Sequence, residues 1–280
     1  MVSGKGTKGH GLGNWNGYRL VSVGWGGGGS GSVGNVVIDV LIRKLSHSSF
    51  LTEVDHATLR QIPLRTRSVA ANQDLIQEGD RPENVILILS GLACRYKLLE
   101  TGNRPIVALL MPGDFCDLHV AILGSMDHSI STLTQCVVAE LPHEVIDDLT
   151  EHHPRITRAL WWATLFDEGI LREWLVSMGQ RSAQRQMAHL FCELHTRFLL
   201  VDLATPNAFN FPLTQRELGD ILGMSGVHVN RTLQELRAYN LVSLKGKRLE
   251  IPDVKALWSY CNFDPNYLHL VPRVDRAPPP

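Results

Sequence analysis

Six residues in one short stretch, Ser225, Gly226, Val227, His228, Asn230 and Arg231, have the types and spacing to engage a nucleic acid. Arg and Asn match the hydrogen-bonding edges of guanine and adenine, and His can bond to bases or phosphates. In a helix starting after Ser225, Val229, Leu233 and Leu236 fall on one side. Gly226, Val227, His228, Asn230, Arg231 and Gln234 are left on the other. Shortly afterwards Lys245, Lys247 and Arg248 surround Gly246, between the alternating pairs Val242/Leu244 and Leu249/Ile251. That pattern predicts a hairpin with a cationic tip, suited to gripping phosphate oxygens. The chemistry expected of these residues is recognition.

The elements that must position them can be read from the preceding residues. Leu213-Thr214-Gln215-Arg216-Glu217-Leu218 is a capping box, with Thr214 and Glu217 satisfying each other's amides and Leu213 and Leu218 at the staple positions. Leu218, Ile221 and Leu222 line one face of the helix that follows, and Gly223 supplies a turn. Ser225 then caps the second helix, with Met224 and Val229 as its staple. Helix, glycine turn and helix make a helix-turn-helix, the second helix facing the major groove of duplex DNA. Thr214 and Gln215, at the start of the first helix, complete the expected DNA-contacting set.

Charge is consistent with discrete contacts. The 280-residue chain has a net charge of −1, so no global basic field exists. Between Phe211 and Pro252 six cations face four anions, a mild local excess. The length allows two modest domains, and 44% hydrophobic with 20% charged residues is ordinary for a globular protein. Cys94, Cys116, Cys136, Cys192 and Cys261 are odd in number and form no Cys-x-x-Cys pair, so neither a disulfide framework nor a zinc or iron–sulfur signature follows. Reduced thiols in a cytoplasm are expected, with Cys192 a small core residue on an apolar helix face. No apolar run reaches membrane-spanning length, and no membrane partner is expected.

In chain order, residues 1–35 form a glycine-rich extension expected to be disordered. Residues 36–153 begin with one or two helices. Glycines 79, 91, 102 and 113 then punctuate short apolar runs, the pattern of an all-β sandwich or barrel. A long helix over 154–179 starts at Pro154, a favoured first-turn residue. Ile156, Leu160, Ala163, Asp167, Ile170 and Trp174 recur along it in steps of four and three, which predicts a coiled-coil seam with a second copy. A second stripe, Trp161, Leu165, Leu171, Leu175 and Met178, is assigned to packing on the β-domain. Residues 180–255 hold the DNA-binding domain, and 256–280 are read as a tail.

This order, and in particular Pro112-Gly113-Asp114-Phe115 together with the Leu213–Leu233 motif, resembles the Crp/Fnr superfamily of bacterial transcription regulators over about three quarters of the chain. The resemblance implies an α+β chain with an N-terminal β-roll of the cyclic-nucleotide-binding type, a parallel homodimer through the long helix, and a C-terminal winged helix-turn-helix. It also implies a pseudo-palindromic DNA site, an arginine at the Arg231 position reading a guanine, and RNA polymerase as a partner if the chain activates. The sequence departs from the cyclic-AMP-binding members. Asp117 stands near the ribose-binding glutamate, but no arginine occurs between Arg104 and Arg155, and His128 is a poor phosphate partner. Regulation by cyclic AMP is therefore not expected, and the effector is left unknown. Cys116, Asp117, Leu118, His119, His128 and Ser129 are the candidate effector pocket. No cofactor and no metal are expected, although Cys116, His119 and His128 carry metal-ligating groups.

The rival class is a metal-dependent cupin-like enzyme, or a metal- or redox-sensing variant of the regulator. Cupin chemistry needs closely spaced His pairs with a carboxylate. No His-x-His, nucleophile elbow, P-loop or dinucleotide fingerprint occurs in the chain, so no catalytic residue is named.

Overall fold

The computed structural model describes residues 38–48, 50–118 and 120–270. The extension over 1–35, the last ten residues and His119 lie outside the described residues. Two short helices, α1 (Asp39–Ser46) and α2 (Glu53–Arg60), lead into strands β1 (Arg65–Val69), β2 (Asp74–Ile76), β3 (Asn84–Ser90), β4 (Ala93–Tyr96) and β5 (Ile106–Leu110). A short helix α3 (Val120–Leu123) precedes β6 (Ser129–Thr132) and β7 (Cys136–Pro142). The strands form two antiparallel sheets, ordered β1-β7-β3 and β2-β6-β4-β5. Ile86, Ile88, Val138, Leu110 and Ile130 fill the space between them.

Tight turns make this roll possible. Gly91 has φ +88°, and a Cβ there would lie 2.3 Å from the Gln135 carbonyl oxygen. A Cβ on Gly113, where φ is +91°, would lie 3.1 Å from the Val40 carbonyl oxygen. Only glycine suits both the dihedral and the space.

Helix α4 (His143–His152) and the long α5 (Pro154–Gln180) follow. The expected seam of α5 faces inward within the same chain. Ile156, Leu160, Ala163, Ile170 and Trp174 are buried against α1, α4 and the C-terminal residues. Asp167, the polar member of that seam, accepts from Arg95 Nη1 at 3.1 Å. A Cβ on Gly169 would meet the Tyr267 carbonyl oxygen at 2.5 Å, which shows how closely the C-terminal turn lies on this face. The other stripe is the one left open: Trp161 is 66% exposed, Leu165 53% and Leu175 60%. The stripe expected to meet a second copy is thus buried within the chain, and the one assigned to the β-domain is open. Steps of four and three describe any buried helix face, so spacing alone does not say which of two apolar stripes turns inward.

Ser182 Oγ accepts from the Arg185 amide to start α6 (Ala183–Leu200). A short hairpin, β8 (Ala204–Thr205) and β9 (Ala208–Asn210), then joins a four-stranded sheet with β10 (Ser243–Lys245) and β11 (Arg248–Glu250), ordered β10-β11-β9-β8. Helices α7 (Gln215–Leu222) and α8 (Gly226–Ala238) lie between β9 and β10. Of the stretch read as a tail, residues 256–270 are built into the fold. Helix α9 (Val254–Cys261) and a 3-10 turn (Pro265–Leu268) pack on α6 and α5, burying Leu257, Cys261, Phe263 and Leu268.

One apolar core runs from the roll into the helical region, linking Leu92, Ile106 and Leu109 with Phe191, Leu218 and Ile221. At its centre lies a buried ionic cluster. Asp114, on the turn after β5, is paired with Lys44 of α1 and with Arg197 of α6, the latter at 3.0 Å. Arg197 also donates to the Leu109 carbonyl at 2.8 Å and pairs with Glu193 at 3.3 Å. Burial alone would push the Asp114 carboxyl up, but Lys44 and Arg197 hold it below the usual carboxylate range.

Candidate nucleic-acid interface

The helix-turn-helix is fixed by its caps. Thr214 Oγ1 accepts from the Glu217 amide at 3.2 Å, while the Thr214 amide donates to Glu217 Oε2 at 2.6 Å. Helix α7 ends at Gly223 in the left-handed region, φ +66°, and the Met224 amide returns to the Gly219 carbonyl at 3.0 Å. Sequence reasoning passed over Gly219. A Cβ there would lie 2.5 Å from the Met224 carbonyl oxygen, so the turn closes onto bare backbone. The only signal was a glycine inside an otherwise good helix, which marks a close approach.

Ser225 Oγ accepts from the His228 amide at 3.3 Å and starts α8. Val229, Thr232, Leu233 and Leu236 point inward and are buried. On the open side Ser225, Gly226, Val227, Asn230 and Arg231 are exposed, and His228 is half-buried. Val227, at 84% exposure, is an apolar side chain in full contact with water. Asn230 Nδ2 reaches Gln215 Oε1 at 3.5 Å, so the two helices present adjoining polar groups. Arg231 is held only loosely by Glu235, at 4.0 Å, and its guanidinium can reach outward.

The cationic hairpin stands beside this face. Gly246, at φ +58°, makes the turn, and Lys245, Lys247 and Arg248 are exposed around it. Its base is anchored twice. Leu249 pairs with Phe209 in β9, and Arg237 of α8 donates to the Leu244 carbonyl at 2.7 Å. Arg237 therefore braces the wing from the recognition helix. The eleven residues expected of the interface lie on the two helices, their starts and the hairpin, ten of them exposed and His228 half-buried.

The candidate effector pocket looks different. Cys116 and Asp117 are fully buried, and His128 and Ser129 nearly so, so these side chains do not line an open cleft. Leu118 is half-buried, and His119 lies outside the described residues. Asp117 Oδ1 accepts from the Ile86 amide at 2.8 Å, while Oδ2 has no hydrogen-bond partner among the described residues. The Ser129 hydroxyl accepts from the Glu78 amide at 3.0 Å, and His128 Nδ1 lies 2.6 Å from Asp127 Oδ1. Arg95, a residue singled out by no motif, donates to the carbonyls of Phe115 (3.0 Å) and Cys116 (3.3 Å) and to Asp167 of α5. It ties the roll to the long helix. Among the described residues no cluster of three or more His, Cys, Asp or Glu side chains could hold a metal ion. No described helix is long and apolar enough to cross a membrane.

Burial pushes the Asp117 carboxyl up to about 7, against the opposing pull of the Ile86 amide and Arg95. A carboxyl with a raised folded-state pKa binds its proton more tightly in the folded state. Its stabilising contribution is complete at low pH and is lost as pH rises from the ordinary carboxylate range through about 7. Asp117→Asn should therefore gain stability relative to the native chain between pH 5 and pH 8. Paired melting curves check this, and a difference independent of pH would mean that the carboxylate is ionised throughout.

The comparisons with known proteins agree with this geometry. The profile of the cyclic nucleotide-binding domain matches residues 66–153, and that of the Crp-like helix-turn-helix domain matches 185–260. The transcriptional activator protein FnrL of Cereibacter sphaeroides is 30% identical over 196 residues, covering 69% of this chain and 77% of that protein. The fumarate and nitrate reduction regulatory protein of Vibrio cholerae is 26% identical over 214 residues, covering 76% and 85%. Among solved structures, FixK2 from Bradyrhizobium japonicum superposes with a TM-score of 0.64 at 21% identity, over 71% of this chain and 97% of that one.

Proposed function

Because the chain belongs to the Crp/Fnr family of transcription regulators, we propose that it binds a pseudo-palindromic duplex as a homodimer, one α8 helix in each of two major-groove half-sites. The observation that carries this reading is the exposed edge of α8 beside the cationic wing, on a frame whose opposite face is buried. Half-sites would lie about one helical turn apart.

Within a half-site, Arg231 reads a guanine and Asn230 a neighbouring base, while Val227 meets a thymine methyl. Gly226 allows close approach, and His228 sits over the adjoining base pair. Thr214, Gln215 and Ser225 at the helix starts, with Lys245, Lys247 and Arg248 on the wing, engage phosphates and set the register. Such a protein works where the chromosome is, in the cytoplasm, and as an activator it would contact RNA polymerase. It is read as a regulator and not as an enzyme.

The Arg95 bridge supplies from within the chain a tie between roll and long helix. We infer that tight DNA binding needs neither cyclic AMP nor another added ligand. Selection from random duplexes with the purified protein alone tests both points. The expected product is a two-fold symmetric site. Arg231→Ala should then weaken binding to that site by about 1–3 kcal/mol and relax the choice at one base pair per half-site. An equal loss on all sequences would remove Arg231 from base reading.

A further inference from the structure

Two thiols that the DNA-binding reading does not use lie side by side. Cys192 on α6 and Cys261 at the end of α9 are both buried, 69 residues apart in sequence, with their sulfurs 3.7 Å from each other. The pairing could not be read from spacing, and Cys192 taken alone looks like a plain core residue. Its neighbour changes that. Helices α6 and α9 pack along one another, so a bond between the sulfurs requires only a small closing shift of side chains.

The pair has a route to solvent. Cys261 lines a cleft of about 330 Å³ whose wall also carries Arg181, Ser182, Arg185 and Asn262. Arg181 pairs with Glu173 through Nη2, but its Nη1 is buried and has no hydrogen-bond partner among the described residues. An unused guanidinium N–H on a residue that shares the cleft wall with Cys261 is a donor for an oxygen held there. The two sulfurs also differ. The hydrogen bond with Cys192 is the main influence drawing the Cys261 thiol below its ordinary value, with burial opposing and Arg181 assisting. Burial drives Cys192 well above that value. Cys94, Cys116 and Cys136 are buried too, all with raised thiols.

We propose that Cys192 and Cys261 form a reversible intramolecular disulfide when a hydroperoxide enters this cleft, with Cys261 as the attacking sulfur and Cys192 as the resolving one. The Cys261 thiolate attacks one peroxide oxygen. A sulfur–oxygen bond forms and the oxygen–oxygen bond breaks, and the departing alkoxide or hydroxide takes up the proton released by Cys261. The Cys192 sulfur then displaces water from the resulting sulfenic acid, its own proton leaving with that water. Two thiols lose two electrons, and the hydroperoxide is reduced to an alcohol, or water, plus one water. The product staples the C-terminal helix to the helix that carries the DNA-binding domain. This proposal stands apart from the DNA-recognition reading and survives its failure.

Thiol titration of the denatured protein, with and without prior hydrogen peroxide treatment of the folded chain, is the test. Free thiols should fall from five to three and return with dithiothreitol. Tryptic digestion should yield one new species joining peptides 186–197 and 256–273 of the same chain. The oxidised protein should melt about 5–10 °C higher, because the bond closes a long loop. In Cys192→Ser, dimedone should label Cys261, whose sulfenic acid lacks its resolving partner. A titre that stays at five overturns the proposal, as does a link between two copies or through another cysteine. Should Cys192→Ser fail to fold, the native peptide map still decides.

Discussion

Replacing Arg197 with Met should destabilise the folded chain by about 3–5 kcal/mol and lower its urea midpoint by more than about 1 M. The side chain is almost fully buried and serves three acceptors at once: Asp114, Glu193 and the Leu109 carbonyl. Met fills much of the same volume but carries no charge. Asp114 would keep Lys44 as a partner, so the larger loss falls on Glu193. Glu193 would retain only the Trp174 indole N–H at 3.0 Å and the Tyr267 hydroxyl at 3.2 Å. Burial already raises the Glu193 carboxyl, with Arg197 the strongest counterweight, so removing the cation favours its neutral form. The defect should therefore shrink as pH falls, and Glu193→Gln should recover part of the loss. Equal destabilisation at pH 5 and pH 8 would mean that Glu193 does not carry the penalty. Because Asp114 belongs to the roll and Arg197 to α6, the same substitution should loosen the joint between the roll and the helix-turn-helix region.

That cluster also marks where sequence reading ends. The caps at Thr214 and Ser225 were legible because both halves of each interaction lie within three residues. The wing was legible because alternation, a turn glycine and three cations are contiguous. Asp114 was visible only as part of a turn motif. Its partners lie 70 and 83 residues away, and no local pattern pairs an acid with bases at that distance. Arg95 is similar: it lies mid-strand with no motif around it, yet it bridges three acceptors in the region expected to be an effector pocket. The C-terminal residues misled for another reason. Phe263, Tyr267 and Leu268 stand around Pro265 in a stretch too short to show a helical period, and they pack by filling gaps over α5 and α6. The long helix carries two apolar stripes of similar strength, and only the three-dimensional neighbours decide which one stays outside.

The outward stripe gives the second large effect. Leu175→Glu should convert a dimer into monomers in sedimentation while each chain still folds, since Leu175 is exposed on the single chain, and the melting temperature should lose its dependence on protein concentration. Trp161, Leu165, Leu175 and Met178 lie on one side of a 27-residue helix, opposite the face packed into the chain. An apolar patch of that length is unusual for a surface with no partner, and each Leu removed from water on association contributes about 1.5–3 kcal/mol. Glu168 and Arg172, paired at 2.5 Å within the stripe, are placed to exchange partners across a two-fold axis. A glutamate at position 175 would bring a charge up to its own symmetry mate. Ile170→Glu, in contrast, buries a charge inside the chain and should cost folding rather than association. Loss of the dimer also separates the two recognition helices. A monomer holds one half-site without the effective concentration that the second supplies, so affinity for the full palindrome should fall by about 10²–10⁴-fold. Retention of the dimer by Leu175→Glu would place the two-fold contact elsewhere. Loss of the dimer without loss of palindrome affinity would mean that the two half-sites are bound independently, and the symmetric reading of the site would fall with it.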